Sequence, residues 1–206
     1  MFTGIVAATG KITSVQPQGE GPDAGVRITI DAGALPMADV AQGDSIALNG
    51  ACMTVAEKTE RGFIVDVSRE SLNHTAGLDG TNEINLEKAM ALGDLLGGHL
   101  VSGHVDGIGT VRKFEPVAES WTLVIEAQRE LAKYFAYKGS VAVNGVSLTV
   151  NKVEDTATGC LFSINLIPHT IEVTTLKHLA AGAKVNLEID LIARYVERML
   201  SVDKGN

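Results

Sequence analysis

Small polar side chains recur at matching places in the two halves of the chain, inside otherwise apolar stretches. The two sets are Ser45, Cys52 and Thr54, and Ser140, Ser147 and Thr149. Buried hydroxyl and thiol groups need hydrogen-bond partners. Each could form a hydrogen bond with the neighbouring backbone, but their recurrence beside an Asn-Gly pair in both halves favours a role in binding a ligand. A pocket lined with such groups suits a flat, neutral, polar heterocycle that needs several hydrogen bonds and no ion pair.

A histidine distinguishes the second set from the first. His104 stands where the first half has Ile5, and Ser147 stands where the first half has Cys52. Because imidazole titrates near neutral pH, it is suited to proton transfer. The alternative is a strand histidine whose ring bonds the backbone. Two similar but unequal pockets are therefore predicted.

Other motifs in the chain indicate no known chemistry. The glycine-rich stretch 97–110 contains neither a dinucleotide nor a nucleotide phosphate-binding pattern. His99, His104 and Asp106 do not have a zinc spacing, so no metal site is predicted. Cys52 and Cys160 form no CxxC pair, and we expect two reduced thiols. No serine-hydrolase or cysteine-nucleophile signature is present.

The chain contains one large internal duplication. The eleven residues 45–55 (SIALNGACMTV) align without gaps with residues 140–150 (SVAVNGVSLTV), and six positions are identical. Residues 2–12 match 101–111, and the Asn-Leu-Glu triplet 85–87 matches 186–188. The constant order and the nearly constant offset predict two homologous domains rather than a solenoid of short repeats. We place them at 1–97 and 98–190, followed by a tail at 191–206.

The apolar pattern within each domain predicts short β-strands. In the first domain it has a period near two over 25–30, 45–48, 52–55, 63–67 and 83–86, with turn residues between. Such spacing is typical of small antiparallel barrels. Helices are predicted over 86–96, over 129–137 and over 191–200, where the apolar residues have helical spacing. The predicted class is all-β, with two tandem barrels and a C-terminal helix.

The composition of the chain argues against two classes of partner, nucleic acids and membranes. The 17 Lys and Arg against 25 Asp and Glu give a formal net charge of −8 without a basic cluster, so no nucleic acid partner is expected. No apolar run is long enough to span a membrane, and the N-terminus lacks the pattern of a signal peptide. We therefore expect a cytoplasmic protein without a membrane partner.

At these residues the sequence resembles the lumazine-binding, two-barrel family that includes the riboflavin synthases. The similarity begins with MFTGIV at 1–6, continues through NGACMTV, GGHLVSGHV, YKGSVAVNGVSLTV and LIPHT, and covers essentially all 206 residues. It implies two six-stranded Greek-key barrels. It also implies a homotrimer with the C-terminal helix at its axis, and each active site would lie between the N-terminal barrel of one subunit and the C-terminal barrel of the next.

The resemblance also implies a reaction. Two molecules of 6,7-dimethyl-8-ribityllumazine would dismutate by transfer of a four-carbon unit, giving riboflavin and 5-amino-6-ribitylaminouracil without a cofactor or metal. His104, Ser147 and Thr149 would handle protons of the 7-methyl group, and Cys52 and Ser45 would position the partner molecule. Phe2 would be the N-terminal aromatic that closes over the site, and Asp190 matches an acidic position of the family.

Matching positions imply substrate contacts in both barrels. In the first barrel they are Gly4, Ile5, Val6, Ser45, Cys52, Met53, Thr54, Asp66, Val67, Ser68, Arg69, Glu70 and Ser71. In the second barrel they are Gly103, His104, Val105, Lys138, Ser147, Leu148, Thr149, Asn165, Leu166, Ile167, Pro168, His169 and Thr170.

Two departures and two alternatives remain. His169 stands where Glu is expected in many relatives of the family, and Asn144 stands where Asp also occurs, so affinity or pH optimum could differ. One alternative is a non-catalytic, fluorescent lumazine- or flavin-binding protein of the same family. The other is a structural protein without chromophore affinity, which would leave the Ser and Thr clusters unexplained.

Overall fold

The computed structural model describes residues 1–203, which form two closed barrels and a C-terminal helix. The strands of the first barrel are β1 (Ala8–Pro17), β2 (Val26–Asp31), β3 (Ser45–Leu48), β4 (Ala51–Lys58), β5 (Gly62–Val67) and β6 (Glu83–Lys88). Those of the second are β7 (Gly107–Val117), β8 (Ser120–Gln128), β9 (Ser140–Val143), β10 (Val146–Asp155), β11 (Gly159–Leu166) and β12 (Lys184–Ile189). The helices are α1 (Arg69–His74), α2 (Arg129–Ala132), α3 (Pro168–Val173) and α4 (Leu191–Asp203), with a 3-10 turn at Thr175–His178.

Both barrels have the same strand order. The hydrogen-bonded order of the first is β1-β2-β5-β4-β3-β6, closed between β6 and β1, and every pair is antiparallel. The second repeats this order six strands later, because β7 pairs with β8 and β12 in the same way as β1 pairs with β2 and β6. The predicted all-β class of two six-stranded antiparallel barrels with a C-terminal helix is confirmed.

Period-two burial explains why these segments form strands. Along β2, buried residues alternate with partly exposed ones, so one face of the strand fills the barrel and the other faces outward. The largest fully buried side chains include Ile12, Ile28 and Phe63 in the first barrel and Phe162 in the second. Each barrel has its own apolar core.

Of the three predicted helices, one is absent, one is shorter than predicted and one is longer. The prediction over 86–96 is wrong, because this segment contains the end of β6 followed by turns. The helix predicted over 129–137 is only α2, which ends at Ala132. The predicted C-terminal helix is present as α4 and extends to Asp203, whereas residues 204–206 of the predicted tail lie outside the described residues. Between residues 1 and 203, no helix is both long and apolar enough to cross a membrane.

Four buried asparagines join the two barrels. The side-chain oxygen of Asn49 accepts from the amide of Asn85 at 2.9 Å, and the side-chain nitrogen of Asn85 donates to the carbonyl of Asn144 at 2.9 Å. The reverse set has the same form: Asn144 accepts from the amide of Asn186 at 2.8 Å, and Asn186 donates to the carbonyl of Asn49 at 3.0 Å. The two repeats therefore bind each other reciprocally about an approximate two-fold axis.

Two glycines allow this contact. Gly50 and Gly145 follow Asn49 and Asn144 in two-residue hairpin turns with positive φ at both central positions, as in type I′ turns. The turns meet back to back, and a Cβ on either glycine would lie 2.8 Å from the backbone nitrogen of the other. No larger residue can occupy these positions without separating the barrels.

We expect Gly50→Ala to cost more stability than Gly43→Ala. Both glycines have positive φ, at +85° and +94°, but a Cβ at Gly43 meets nothing within 4 Å. The control should lose about 1–2 kcal/mol from backbone strain alone, and Gly50→Ala should lose about 1–3 kcal/mol more from steric overlap. Urea unfolding curves measure both values, and equal losses would contradict the close contact.

Candidate active site

Each barrel is preceded by a short segment that packs against the other barrel. The carbonyl of Gly4, which precedes the first barrel, accepts a hydrogen bond from the amide of Ser147 at 2.8 Å. Likewise, the carbonyl of Gly103 accepts one from the amide of Cys52 at 2.8 Å. Both glycines have positive φ, and a Cβ on either would lie 2.6 Å from the Cβ that it covers. Only glycine allows so close an approach.

The structure corrects the barrel to which these segments are expected to belong. Their order in the sequence predicts Gly4, Ile5 and Val6 at the first barrel, and Gly103, His104 and Val105 at the second. In the structure, Val6 packs on the core of the second barrel and Val105 on that of the first. Both segments resemble each other in sequence, so their residues alone do not show which barrel each one contacts.

The first pocket is a cavity of about 260 Å³ built from both barrels. It combines the Cys52 thiol from β4 with the His104 imidazole from the segment before β7. Cys52 is partly buried and His104 is exposed, so both are accessible to a ligand. The lining residues are Ala51, Cys52, Met53, Glu70, Ser71, His74, Thr75, Gly103, His104 and Val105.

Only part of the predicted stretch 66–71 lines this pocket. Glu70 and Ser71, at the start of α1, line it. Asp66 instead forms an ion pair with an arginine of β2, with a shortest N–O distance of 2.8 Å, which lowers the pKa of its carboxyl. Arg69 donates two hydrogen bonds to a loop carbonyl. Ser68 caps α1 by accepting from the amide of Ser71 at 3.1 Å.

Sequence reasoning missed two lining residues, His74 and Thr75. They lie at the C-terminal end of α1, outside the motifs that the two repeats share. His74 Nε2 lies 3.6 Å from Glu70 Oε1, one helical turn earlier. The i, i+4 spacing of these residues within the stretch after β5 was the available signal.

Ser147, the counterpart of Cys52 in the second barrel, is covered by the linker between the barrels. His99 Nδ1 and Ser147 Oγ share a hydrogen bond of 2.7 Å, and a Cβ on Gly98 would lie 2.8 Å from the Cβ of Ser147. Burial lowers the pKa of His99, and the nearby Asp190 carboxylate opposes this shift. The sequence motifs suggest no role for His99 other than metal ligation, so sequence reasoning missed this contact.

Other predicted residues of the second barrel lie around the hairpin of β9 and β10 and around α3. Thr149 is exposed on β10, while Leu148 packs against the core. Lys138 Nζ donates to Asn151 Oδ1 at 3.0 Å, beside the start of β9. Asn165 Oδ1 accepts from a serine hydroxyl of β8 at 2.9 Å. Helix α3 begins directly after β11. Ile167 is its N-cap, and its first turn contains Pro168, His169 and Thr170.

Several predicted residues do not line the first pocket. Phe2 is fully buried between the barrels, where it packs with Val101 and against Gly103 and Cys52. Val67 and Leu166 are buried in the two cores. Ser45 lines a separate cavity of about 630 Å³, and the exposed Thr54 is its cross-strand partner. Among residues 1–203, no group of three His, Cys, Asp or Glu side chains could hold a metal ion.

Comparison with known proteins agrees with this architecture. The model of the lumazine binding domain matches twice, at residues 3–89 and 102–190. The riboflavin synthase of Photobacterium phosphoreum is 41% identical over 99% of this chain and 91% of its own length. That of Mycobacterium bovis is 43% identical over 97% of this chain and 98% of its own.

Solved structures of LumP share the fold. LumP complexed with 6,7-dimethyl-8-(1'-D-ribityl) lumazine is 23% identical, with a TM-score of 0.78. LumP complexed with riboflavin is 26% identical, with a TM-score of 0.76. In both comparisons the match covers 92% of this chain and 99% of LumP.

The duplicated barrels, each matched by the lumazine binding domain, define a two-barrel lumazine-binding protein, and the chain belongs to the lumazine binding domain family. Within that family, its full-length relatives at 39–43% identity are riboflavin synthases. The resemblance stated from the sequence is confirmed, as is the prediction of an enzyme of the riboflavin synthase type.

We expect His99 to make the fold sensitive to mild acid. Its lowered pKa in the folded chain means that the unfolded chain binds the proton more readily, so stability is lost as pH falls through the ordinary value of 6.5. Replacement by Asn removes this titration. Urea unfolding between about pH 7 and 5 should show a smaller loss for His99→Asn than for the unmodified chain. Parallel losses in the two proteins would contradict the prediction.

Proposed function

We propose that the chain converts two molecules of 6,7-dimethyl-8-ribityllumazine into riboflavin and 5-amino-6-ribitylaminouracil. The observation that supports this best is the pair of related but chemically unequal sites. A thiol and an imidazole meet at the first, and a serine hydroxyl and an imidazole meet at the second. The assignment of residues 1–97 and 98–190 to two lumazine-binding units is part of the proposal.

A duplicated site suits a reaction between two copies of one molecule. Binding both molecules in fixed orientation turns a bimolecular encounter into an effectively intramolecular step. The differences between the sites would then decide which molecule donates the four-carbon unit and which accepts it. Hydroxyl groups and backbone amides satisfy a neutral pteridine without an ion pair.

The proposed chemical roles follow from the groups present. The acidic protons of the substrate are those of its 7-methyl group, so the protein must accept a proton and stabilise the resulting anion. His104 is the proposed proton-handling group, and Cys52 positions the molecule in the first pocket. Ser147 and Thr149 supply hydroxyl groups at the second, where His99 orients the Ser147 hydroxyl.

Within one chain, His104 and Ser147 belong to different pockets, so a shared role requires contact between subunits. We therefore include a homotrimer in the proposal, with the first barrel of one subunit facing the second barrel of the next. Two features support it. Thr54 and Thr149 leave open polar faces, and α4 carries exposed apolar residues. These are Ile192, Tyr195, Val196, Met199, Leu200 and Val202.

A charge placed on the apolar side of α4 should abolish assembly. We expect Val196→Glu to give smaller particles in analytical ultracentrifugation and to lose riboflavin formation, because burying the carboxylate costs several kcal/mol. Arg198→Glu introduces the same residue two positions later, outside the apolar stripe, and should remain trimeric. A trimeric Val196→Glu protein would refute the role of this helix.

The competing function is that of a binding protein without turnover. The fold that this chain shares with LumP, whose solved structure contains riboflavin, supports this alternative. The thiol, hydroxyl and imidazole groups at the pockets of this chain favour the enzyme.

Stoichiometry separates these functions. The purified chain is incubated with 6,7-dimethyl-8-ribityllumazine in the presence of a chelator, and absorbance follows both compounds. One riboflavin formed per two lumazines consumed is expected. Binding detected by fluorescence without conversion would establish the binding protein, and absence of binding would overturn both functions.

A further inference from the structure

A buried glutamate lies at the same place in the last strand of each barrel. Glu87 in β6 is 8% exposed and Glu188 in β12 is 3% exposed. Both end the Asn-Leu-Glu triplet that repeats in the sequence. Neither carboxylate lies among the groups to which we assigned chemistry, yet burial of an ionised carboxyl is costly unless it is fully hydrogen-bonded.

Each carboxylate accepts three hydrogen bonds from the segment that precedes its own barrel. Glu188 Oε1 accepts from the amide and hydroxyl of Ser102 at 2.6 and 2.7 Å, and Oε2 accepts from the amide of Gly103 at 2.9 Å. Glu87 binds Thr3 in the same way, with both distances at 2.7 Å, and accepts from the next amide at 3.0 Å. One side chain thus fixes two successive peptide units.

The segment bound in this way continues directly onto the other barrel. Gly103 donates its amide to Glu188 and accepts from the Cys52 amide through its carbonyl. His104 follows immediately and lines the first pocket. Gly4 has the same two bonds, to Glu87 and to Ser147. Each glutamate is therefore joined to the pocket of the opposite barrel through a single glycine.

The hydrogen bonds around Glu188 require a carboxylate and not an amide at this position. All the groups that point at Glu188 from Ser102 and Gly103 are donors, so the ionised form, which only accepts, satisfies every one of them. Burial raises the pKa of both glutamates, and these hydrogen bonds oppose the shift. Asp106 adds to the rise at Glu188. A glutamine would direct its NH2 group at a donor.

We propose that Glu188 and Glu87 are positioning residues that act across the barrels. Glu188, in the second barrel, sets the place of His104 at the first pocket. Glu87, in the first barrel, sets the place of Ile5 and of the segment beside Ser147. The catalytic consequence rests on the proposed function, whereas the positional consequence can be measured without turnover.

The test compares Glu188→Gln with Glu87→Gln, two variants that lose equivalent bonds. The readout is the alkylation rate of Cys52 by iodoacetamide in the full chain, followed by mass spectrometry. Cys52 is partly exposed beneath Gly103, whereas Cys160 is fully buried with a pKa raised to about 11 and serves as an internal control for unfolding. Urea unfolding of both variants measures their loss of stability.

We expect Glu188→Gln to change the Cys52 rate about tenfold or more, the factor that corresponds to loss of one hydrogen bond to a charged group. Glu87→Gln should change that rate less than Glu188→Gln does, because the segment that Glu87 binds reaches the surroundings of Cys52 only through Phe2 and its bridge to Val101. Equal rates in the two variants, or an unchanged rate in folded Glu188→Gln, would overturn the proposal. Ser102→Ala removes only the hydroxyl hydrogen bond to Glu188 and can replace Glu188→Gln if that variant fails to fold. It should change the Cys52 alkylation rate in the same direction as Glu188→Gln but by less. An unchanged rate in Ser102→Ala would count against the proposal.

Turnover provides the second arm. Misplacing His104 should lower kcat of Glu188→Gln by about tenfold to a hundredfold, with a smaller change in KM. A folded Glu188→Gln protein with unchanged kcat would contradict the positioning role. If the unmodified chain forms no riboflavin, the proposed function fails, and the Cys52 rates alone decide on Glu188.

Discussion

The back-to-back contact of two Asn-Gly turns is the constraint on which the rest of the structure depends. Gly50 and Gly145 approach so closely that neither has room for a side chain. Around them, four asparagine side chains satisfy buried backbone groups, two within a barrel and two across from one barrel to the other. Because an unpaired buried amide costs about as much as a lost hydrogen bond, the two barrels have one arrangement that satisfies all of them.

That arrangement makes each pocket a product of both repeats. With the axis between the barrels fixed, the segments before β1 and β7 cross to the opposite barrel, and the residues after Gly4 and Gly103 are placed beside Ser147 and Cys52. Two identical barrels would give two identical sites. The differences of this chain, His104 against Ile5 and Cys52 against Ser147, lie at the crossing itself, so a few substitutions suffice to make the sites chemically distinct.

Buried charge has a positional use in this fold. Glu87 and Glu188 are buried, which raises the pKa of both carboxyls, and the hydrogen bonds that they accept oppose this shift. Such groups are poor sources of stability compared with apolar side chains of similar volume. These carboxylates instead fix the position of the segment that they bind, because a carboxylate bound to two successive amides leaves the following residue little freedom. His99 similarly orients the Ser147 hydroxyl from a partly buried position.

Sequence alone determined the duplication, the strand pattern and the family. Period-two apolar residues, Asn-Gly turns and a repeated unit are local or directly comparable features, and so are the motifs of the family. It was less reliable over 86–96, where only residues 86–88 belong to β6 and the leucines at 92, 95 and 96 lie exposed in the loop that follows instead of on one face of a helix. Only the tertiary structure decided which segment meets which barrel, that Phe2 lies between the barrels and that His99 reaches Ser147. These contacts join residues far apart in the chain or belong to near-identical segments. Their partners are selected by the packing of one barrel on the other, and no local pattern records that choice.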